Sequence, residues 1–238
     1  MEKIHIITPV KDSIDLTLQT IRSISASSFT LPHNYTIYND FSTAENTLRL
    51  KNASKEYGFT LINLPDITQH PSPNYLLVLQ TAQKKALSEN AALCLVESDV
   101  IVKPETIQSL FDQSVQLPDC GMIASVTVDA NGEINYPYSY AKGKENTSFE
   151  TRKRLSFCCT LMTWQFLNTF SFESLDQTKS WHDVTISRQS LKHGFKNYLL
   201  TNLPVVHQPH GSRPWKQLKY THPLKYYWLK LRLKRDKI

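Results

Sequence analysis

The feature that most constrains the fold is a regular alternation of short apolar segments with longer amphipathic ones. The apolar segments have the length and the β-branched content of strands buried in a sheet. Between them, apolar residues such as Ile14, Leu18 and Ile21 recur at helical spacing. Strands that alternate with helices favour an α/β fold, a mostly parallel sheet flanked by helices. Strands are predicted at residues 4–10, 35–38, 59–64, 92–96, 121–128, 157–164 and 198–206; helices are predicted from 14 and 104 onward and at 44–57, 74–88 and 184–192.

The size of the chain is that of a single domain. With 238 residues, 40% hydrophobic and 20% charged, it has the composition of an ordinary globular protein. No apolar run reaches the roughly 18 residues that span a bilayer, and the first residues turn polar too soon for a signal peptide. The cysteines show no paired CxxC spacing, which predicts reduced thiols in a cytoplasmic protein and neither disulfides nor a zinc site. They are Cys94, Cys120, Cys158 and Cys159.

The positive charge is concentrated at the C-terminal end. Residues 213–238 carry nine Lys or Arg against one acid, so this tail has a net charge of +8 while the whole chain has +6. Residues 1–212 are therefore slightly acidic, which argues against nucleic acid as a partner. Leu224, Trp228 and Leu231 fall at helical spacing among the cations. A basic amphipathic helix of this kind suits an anionic membrane surface, or it packs on a domain formed by residues 1–212.

Polar residues gather where the predicted strands end. They occupy residues 8–11, 39–42, 97–99 and 181–183, and the last predicted strand leads into His207. In open α/β sheets, ligands bind at the carboxyl ends of the strands. We therefore expect these five segments to form one site.

Glu97-Ser98-Asp99 is the segment with the clearest chemistry. Side chains at positions i and i+2 of an extended chain point the same way, so Glu97 and Asp99 present two carboxylates together. Hard cations such as Mg²⁺ and Mn²⁺ prefer oxygen ligands of this type and often share them with phosphates. The chain has six glycines and contains neither GxGxxG nor GxxxxGK[ST]. A nucleotide would therefore bind without a dinucleotide fingerprint or a P-loop.

The order of these segments resembles family 2 glycosyltransferases of the GT-A fold, a Rossmann-like architecture. The resemblance covers most of residues 3–212. It rests on the Pro-Val-Lys turn after the first strand, the Asn-Asp-Phe-Ser turn after the second, the Glu-Ser-Asp segment in place of DxD, the His-Asp pair at a helix start, and a late histidine before Gly and Ser. Three residues depart from the family pattern. Asn39 stands where the family often has Asp, Glu97 replaces the first Asp of DxD with a longer acid, and His182 replaces the Glu of a Glu-Asp pair.

The resemblance implies a role for each matching residue, with Mn²⁺ or Mg²⁺ as cofactor. Asp183 would be the catalytic base, and Trp181 and His182 would contact the acceptor. Asp99 would bind the metal, together with His207 or His210. The nucleotide of a nucleotide-diphospho-sugar donor would contact Pro9, Val10, Asp40, Glu97 and Ser98.

The resemblance also implies a biological setting, an inverting enzyme of bacterial surface polysaccharide synthesis. Its acceptor would be a saccharide or a lipid-linked saccharide at the inner leaflet of the plasma membrane. Two alternatives stay open. One is a sugar-phosphate nucleotidyltransferase, which begins with a similar strand and helix but usually carries a glycine-rich loop, which residues 8–12 lack. The other is a non-catalytic protein that binds glycan or membrane.

Residues 130–154 interrupt the regular pattern and predict a long loop or lid. Tyr136, Tyr138 and Tyr140 alternate within this segment. The alternation favours an ordinary edge strand over a platform on which an acceptor sugar stacks.

Overall fold

The structure is a computed structural model that describes residues 3–144, 146–178, 181–208 and 222–232. Nine strands and seven α-helices are formed in these ranges. The strands are β1 (Lys3–Val10), β2 (His33–Asn39), β3 (Thr60–Asn63), β4 (Ala91–Val96), β5 (Val100–Ile101), β6 (Cys120–Val128), β7 (Ser148–Glu150), β8 (Cys159–Met162) and β9 (Lys196–His207). The helices are α1 (Ile14–Ser25), α2 (Ala44–Tyr57), α3 (Tyr75–Ser88), α4 (Thr106–Gln116), α5 (Trp164–Thr169), α6 (His182–Lys192) and α7 (Pro223–Arg232).

The strands form one mixed sheet in the order β3-β2-β1-β4-β8-β6-β9-β5, with β7 added on β9. Neighbours are parallel from β3 to β4 and again between β6 and β9. Strand β8 runs antiparallel between β4 and β6, and β5 and β7 are antiparallel to β9. The predicted α/β class is confirmed, and the sheet is parallel from β3 to β4 but mixed beyond β4.

The topology creates a crevice beside the end of β1. The chain proceeds outward from β1 to β2 and β3, and then returns to place β4 on the other side of β1. Such a switch point opens a crevice at the carboxyl ends of the strands, where ligands of α/β proteins bind. Because β8 is antiparallel to β4, β8 begins at this same edge of the sheet. Residues just before β8 therefore join those that follow β4.

Both faces of the central sheet are buried. On β1, Ile4 and Ile6 belong to a cluster that includes Ile107 of α4, whereas Ile7 belongs to a cluster with Leu79 of α3. Alternate residues of a strand point to opposite faces, so a strand covered on both sides is apolar throughout. All six residues of β4 are buried for the same reason. This buried central sheet fixes the positions at which the polar segments begin.

Two parts of the sequence fold differently from the prediction. The segment 157–164, expected as one strand, ends at Met162 because the Thr163 hydroxyl accepts a hydrogen bond from the Phe166 N–H and begins α5. The three alternating tyrosines do not form the expected edge strand. The Tyr138 hydroxyl accepts from the Ser156 N–H at 2.8 Å, which turns this ring into the core and leaves Tyr136 exposed.

Helix α7 is the described part of the predicted tail. Within the described residues, no helix is both long and apolar enough to cross a membrane. The division of the chain at residue 212 stays a prediction, because residues 209–221 lie outside the described ranges.

A buried histidine on β1 makes stability depend on pH. Burial lowers the pKa of His5 from 6.5 to about 4, with Lys85 and Lys3 acting in the same direction and Glu89 opposing them. Between these two values the unfolded chain binds more protons than the folded chain, so acidification favours unfolding. We expect the free energy of unfolding to fall by about 2 kcal/mol from about pH 7.5 to about pH 5 through this residue.

Urea unfolding at the two pH values checks this expectation. His5→Leu should remove most of the difference, whereas His33→Leu, which alters an exposed histidine, should keep it. An unchanged pH dependence in His5→Leu would contradict the assignment.

Candidate active site

Strand pairing brings Glu97 and Cys158 side by side. Val96, the last residue of β4, pairs with Cys159, the first of β8, and the Glu97 N–H donates to the Cys158 carbonyl at 3.0 Å. The Cys158 thiol in turn donates to Glu97 Oε2 at 3.3 Å. The acidic segment after β4 therefore has a thiol as its immediate neighbour.

A second pairing brings His207 to the same place. His207 ends β9 opposite Val100 of β5, and the Gln208 N–H donates to the Asp99 carbonyl at 2.9 Å. The His207 Nδ1–H donates to the Tyr136 carbonyl at 3.1 Å, because a carbonyl can only accept. The other ring nitrogen, Nε2, lies 3.6 Å from Asp99 Oδ2.

Glu97, Cys158 and His207 form a possible metal site. One donor atom from each of these residues lies within 4.8 Å of the others. Carboxylate, thiolate and imidazole are all ligands of divalent transition metals, so the residues present fit such an ion. Asp99 borders the cluster through its contact with His207.

Some of the residues predicted to bind the metal belong to this cluster or lie beside it. His207 belongs to it, and Asp99 lies beside it. His210 lies outside the described residues. The sequence predicts an ordinary reduced thiol at Cys158. The structure places this buried cysteine where it could also serve as a ligand, a role that its sequence neighbours do not indicate.

The electrostatics of the cluster favour a bound cation. Burial, followed by the adjacent Asp99 carboxylate, raises the pKa of Glu97. Burial also raises the pKa of the Cys158 thiol, and Glu97 raises it further. Burial alone would lower the pKa of His207, but the interactions with Asp99 and Glu97 outweigh it and raise that pKa. Negative groups crowded at a buried position are stabilised by a positive charge among them.

Asp183 lies in the first turn of α6, which begins at His182. Its Oδ1 accepts from the Val184 N–H at 2.8 Å, and its Oδ2 accepts from Arg154 Nη1 at 3.3 Å. The negative charge of Asp183 contributes to raising the pKa of Glu97. Asp183 therefore lies close enough to the possible metal site for its charge to act on Glu97.

Arg154 connects Asp183 to the loop that precedes β8. Its Nη2 donates to the Tyr136 hydroxyl at 2.7 Å. The guanidinium carbon lies 5.5 Å from the centre of the Tyr136 ring and 5.4 Å from that of Trp181. Aromatic faces stabilise a cation at such distances. The loop thus places a cation and an aromatic ring beside Asp183. The prediction of a lid at residues 130–154 stays a prediction.

His182 faces the core more than the crevice. Its side chain is buried, and its ring is parallel to that of Tyr75 with 6.3 Å between the ring centres. Burial lowers the pKa of His182, which favours the neutral ring. The acceptor contacts of Trp181 and His182 stay predictions.

The predicted nucleotide contacts lie at the ends of β1 and β2. Pro9 and Val10 pair with Tyr38 and Asn39, and the Asp40 N–H donates to the Val10 carbonyl. Strand β1 is paired with β4 on its other side, so this edge adjoins the segment Glu97-Ser98-Asp99.

The Asp40 carboxylate already has partners within the protein. Its Oδ2 accepts from Ser72 Oγ at 2.7 Å and from the Asn74 N–H at 2.9 Å, and its Oδ1 accepts from Asn74 Nδ2 at 2.8 Å. These contacts fix the loop that leads into α3. A carboxylate has about four acceptor positions, so one position on Oδ1 could still serve a nucleotide.

Comparison with solved structures identifies the architecture, whereas no family model and no curated protein matches the chain. The mannosyltransferase PcManGT from Pyrobaculum calidifontis, in complex with GDP-Man and Mn²⁺, is similar with a TM-score of 0.62 at 12% identity, over 96% of this chain and 64% of that one. TarS 1–349 from S. aureus gives 0.64 at 15% identity, over 87% and 60%. GalNAc-T7 with UDP, GalNAc and Mn²⁺ gives 0.63 at 9% identity, over 87% and 44%.

This chain therefore spans between 44% and 64% of the length of these similar structures. The similarity of fold agrees with the architecture that the sequence resemblance implied. The protein has the GT-A fold of these glycosyltransferases.

Proposed function

We propose that the protein is a metal-dependent, inverting glycosyltransferase of the family 2 type. It would transfer a sugar from a nucleotide-diphospho-sugar to a glycan or lipid-linked acceptor. The observation that carries this proposal is the convergence of Glu97, Cys158 and His207, with Asp183 close enough for its charge to act on Glu97. Two similar structures contain Mn²⁺ with GDP-Man or with UDP, which supports a nucleotide donor here.

The donor would lie along the edge formed by β1, β2 and β4. Pro9 and Val10 would line the nucleotide pocket, and Asp40 would contact the base or ribose. Glu97 and Ser98 would continue this surface toward the diphosphate. Asp99 and His207 would hold a divalent cation, which when bound would neutralise the charge that builds up on the leaving diphosphate.

Asp183 is the proposed general base. Its carboxylate would take the proton of the acceptor hydroxyl while the acceptor oxygen forms a bond to the anomeric carbon. The bond between that carbon and the diphosphate oxygen breaks, and the nucleoside diphosphate leaves with the electron pair. Attack opposite the leaving group inverts the configuration and needs one base and no covalent intermediate. Arg154 and the Val184 N–H orient the carboxylate for this task.

A thermal-shift screen tests whether the crevice binds a donor nucleotide. The screen uses UDP, GDP, dTDP and CDP, each with and without Mn²⁺, and the matching monophosphates as controls. We expect one diphosphate to raise the melting temperature in the presence of Mn²⁺, and its monophosphate to do so much less. The absence of a shift with every diphosphate would contradict the proposal and favour a non-catalytic glycan- or membrane-binding protein.

Helix α7 supports a further part of the proposal, a role at the inner leaflet of the plasma membrane in bacterial surface polysaccharide synthesis. Leu224, Tyr227, Trp228 and Leu231 are all more than half exposed, and their spacing places them on one side of the helix. Lys225 and Arg232 add positive charge to the same helix. An exposed apolar stripe on a basic helix matches the chemistry of an anionic lipid surface.

Co-sedimentation with lipid vesicles tests the proposed membrane contact. We expect the full chain to bind vesicles that contain an anionic lipid and to bind neutral vesicles weakly. Trp228→Ser should weaken binding by about tenfold or more, since burial of a large apolar side chain contributes roughly 1.5–3 kcal/mol. Val115→Ser alters an exposed apolar residue of α4 and should change nothing. Equal binding by the two variants would refute the contact.

A further inference from the structure

The possible metal site contains a thiol, which hard cations do not favour. Mg²⁺ takes oxygen ligands in near-octahedral geometry and keeps several waters, whereas thiolates select softer ions such as Zn²⁺. Cys158 is buried, as are the other three cysteines, but it alone among them shares the possible metal site of the described residues. Its position therefore bears on which ion the protein prefers.

The fold holds the Cys158 sulfur in the crevice. The antiparallel pairing of β4 with β8 sets Cys158 beside Glu97, as the 3.0 Å hydrogen bond between their backbones shows. The sulfur lies 3.3 Å from Ser156 Oγ and 3.3 Å from Glu97 Oε2. A thiol that serves only as a small apolar filler has no need of two polar neighbours.

The spacing of the donor atoms suits a compact transition-metal site. With bonds of roughly 2.0–2.3 Å, the ligand atoms of a tetrahedral ion lie roughly 3.3–3.8 Å apart. The separation of 3.3 Å between Cys158 Sγ and Glu97 Oε2 falls in this range. The whole set lies within 4.8 Å, so modest side-chain rotations close it around an ion.

The histidine is already arranged as a ligand. Its Nδ1–H donates to the Tyr136 carbonyl, which fixes the ring and leaves Nε2 as the nitrogen that would bind an ion in place of a proton. Such a second contact commonly orients a metal-binding histidine, and Asp99 lies 3.6 Å from the same Nε2.

We propose that Cys158 binds the metal ion of this site as a thiolate, together with Glu97 and His207, so that the site prefers Zn²⁺ or Co²⁺ to Mg²⁺. On binding, the S–H bond breaks, the proton passes to solvent, and the sulfur donates an electron pair to the ion. The inference deepens the proposed function by adding Cys158 and Glu97 to His207 as ligands, with Asp99 beside them. It rests on the proposed function only for what the bound ion does, because binding of the ion can be measured without sugar transfer.

Titration of the metal-free protein with Co²⁺ tests the proposal by absorption spectroscopy. A thiolate bound to Co²⁺ gives an intense sulfur-to-metal charge-transfer band in the near ultraviolet, which oxygen and nitrogen ligands do not give. We expect this band in the wild type, its loss on addition of Zn²⁺, and its persistence in an equal concentration of Mg²⁺. Co²⁺ that binds without the band would overturn the proposal, as would a failure of Co²⁺ to bind.

Two variants complete the test. Cys158→Ser should lose the band and weaken Co²⁺ binding by about tenfold or more, because loss of a direct ligand costs at least as much as loss of an outer partner. Cys120→Ser replaces a buried cysteine outside the cluster and should keep the band. A band that survives in a folded Cys158→Ser would also overturn the proposal. If that variant does not fold, the wild-type spectrum decides.

The outcome is separable from that of the proposed function. The band without any nucleotide-induced shift in melting temperature would support the thiolate ligand and count against the transferase. A Mn²⁺-dependent shift in melting temperature with a nucleotide, without the band, would support the transferase and overturn the thiolate ligand.

Discussion

Asp183→Asn is expected to reduce the rate of sugar transfer by about 10²–10⁴-fold, the usual contribution of a general base. The amide has nearly the same shape as the carboxylate but cannot take a proton from the acceptor hydroxyl. Its oxygen can still accept from Arg154 or from the Val184 N–H, so the start of α6 should be preserved. Initial rates with saturating donor measure the effect.

The same variant should still bind the donor nucleotide. A Mn²⁺-dependent thermal shift equal to that of the wild type would show that only the chemical step is lost. Asp112→Asn, an exposed change on α4, should transfer sugar at the wild-type rate. A folded Asp183→Asn with full activity would refute the assignment of the base and direct attention to another group in the crevice.

Asp99→Asn is expected to abolish the metal-dependent part of nucleotide binding. The carboxylate lies 3.6 Å from His207 Nε2 and beside the possible metal ligands, so its charge supports the cation. A nucleoside diphosphate at about 100 times its dissociation constant adds roughly 2.7 kcal/mol to stability. For a domain of this size that is a rise in melting temperature of about 5 °C or more.

The loss should also appear in the rate. Stabilisation of the leaving diphosphate by a metal is worth several kcal/mol, so transfer should fall by about 10³-fold. Glu56→Gln, which changes an exposed acid on α2, should behave as the wild type. If Asp99→Asn kept the Mn²⁺-dependent shift, the metal would have to bind elsewhere.

Local signals in the sequence were sufficient for much of the fold. The helix predicted at residues 44–57 has the bounds of α2, and the structure shows the local causes, since Thr43 caps its first turn and Gly58, with φ of 72°, ends it. Strand β4 was predicted because burial on both faces makes it continuously apolar. These features depend on neighbours in sequence, which a single chain displays directly.

The features that the sequence did not predict depend on contacts between residues that are far apart along the chain. The possible role of Cys158 as a metal ligand follows from the antiparallel register between β4 and β8, which brings together residues 61 positions apart. The burial of Tyr138 follows from its hydrogen bond to Ser156, not from the alternation of the three tyrosines. The partners of Asp40 likewise come from a loop more than thirty residues away. No local pattern encodes contacts of this kind.

The measurement that tests the central claim most directly is donor turnover. The protein is incubated with Mn²⁺ and, in turn, with uridine, guanosine, deoxythymidine and cytidine diphospho-sugars, and the released nucleoside diphosphate is quantified. The account predicts release from one class of donor, abolished by a chelator and strongly reduced in Asp183→Asn. If none of these donors released a nucleoside diphosphate, with or without a panel of saccharide and lipid-linked acceptors, the proposal of a glycosyltransferase would be contradicted.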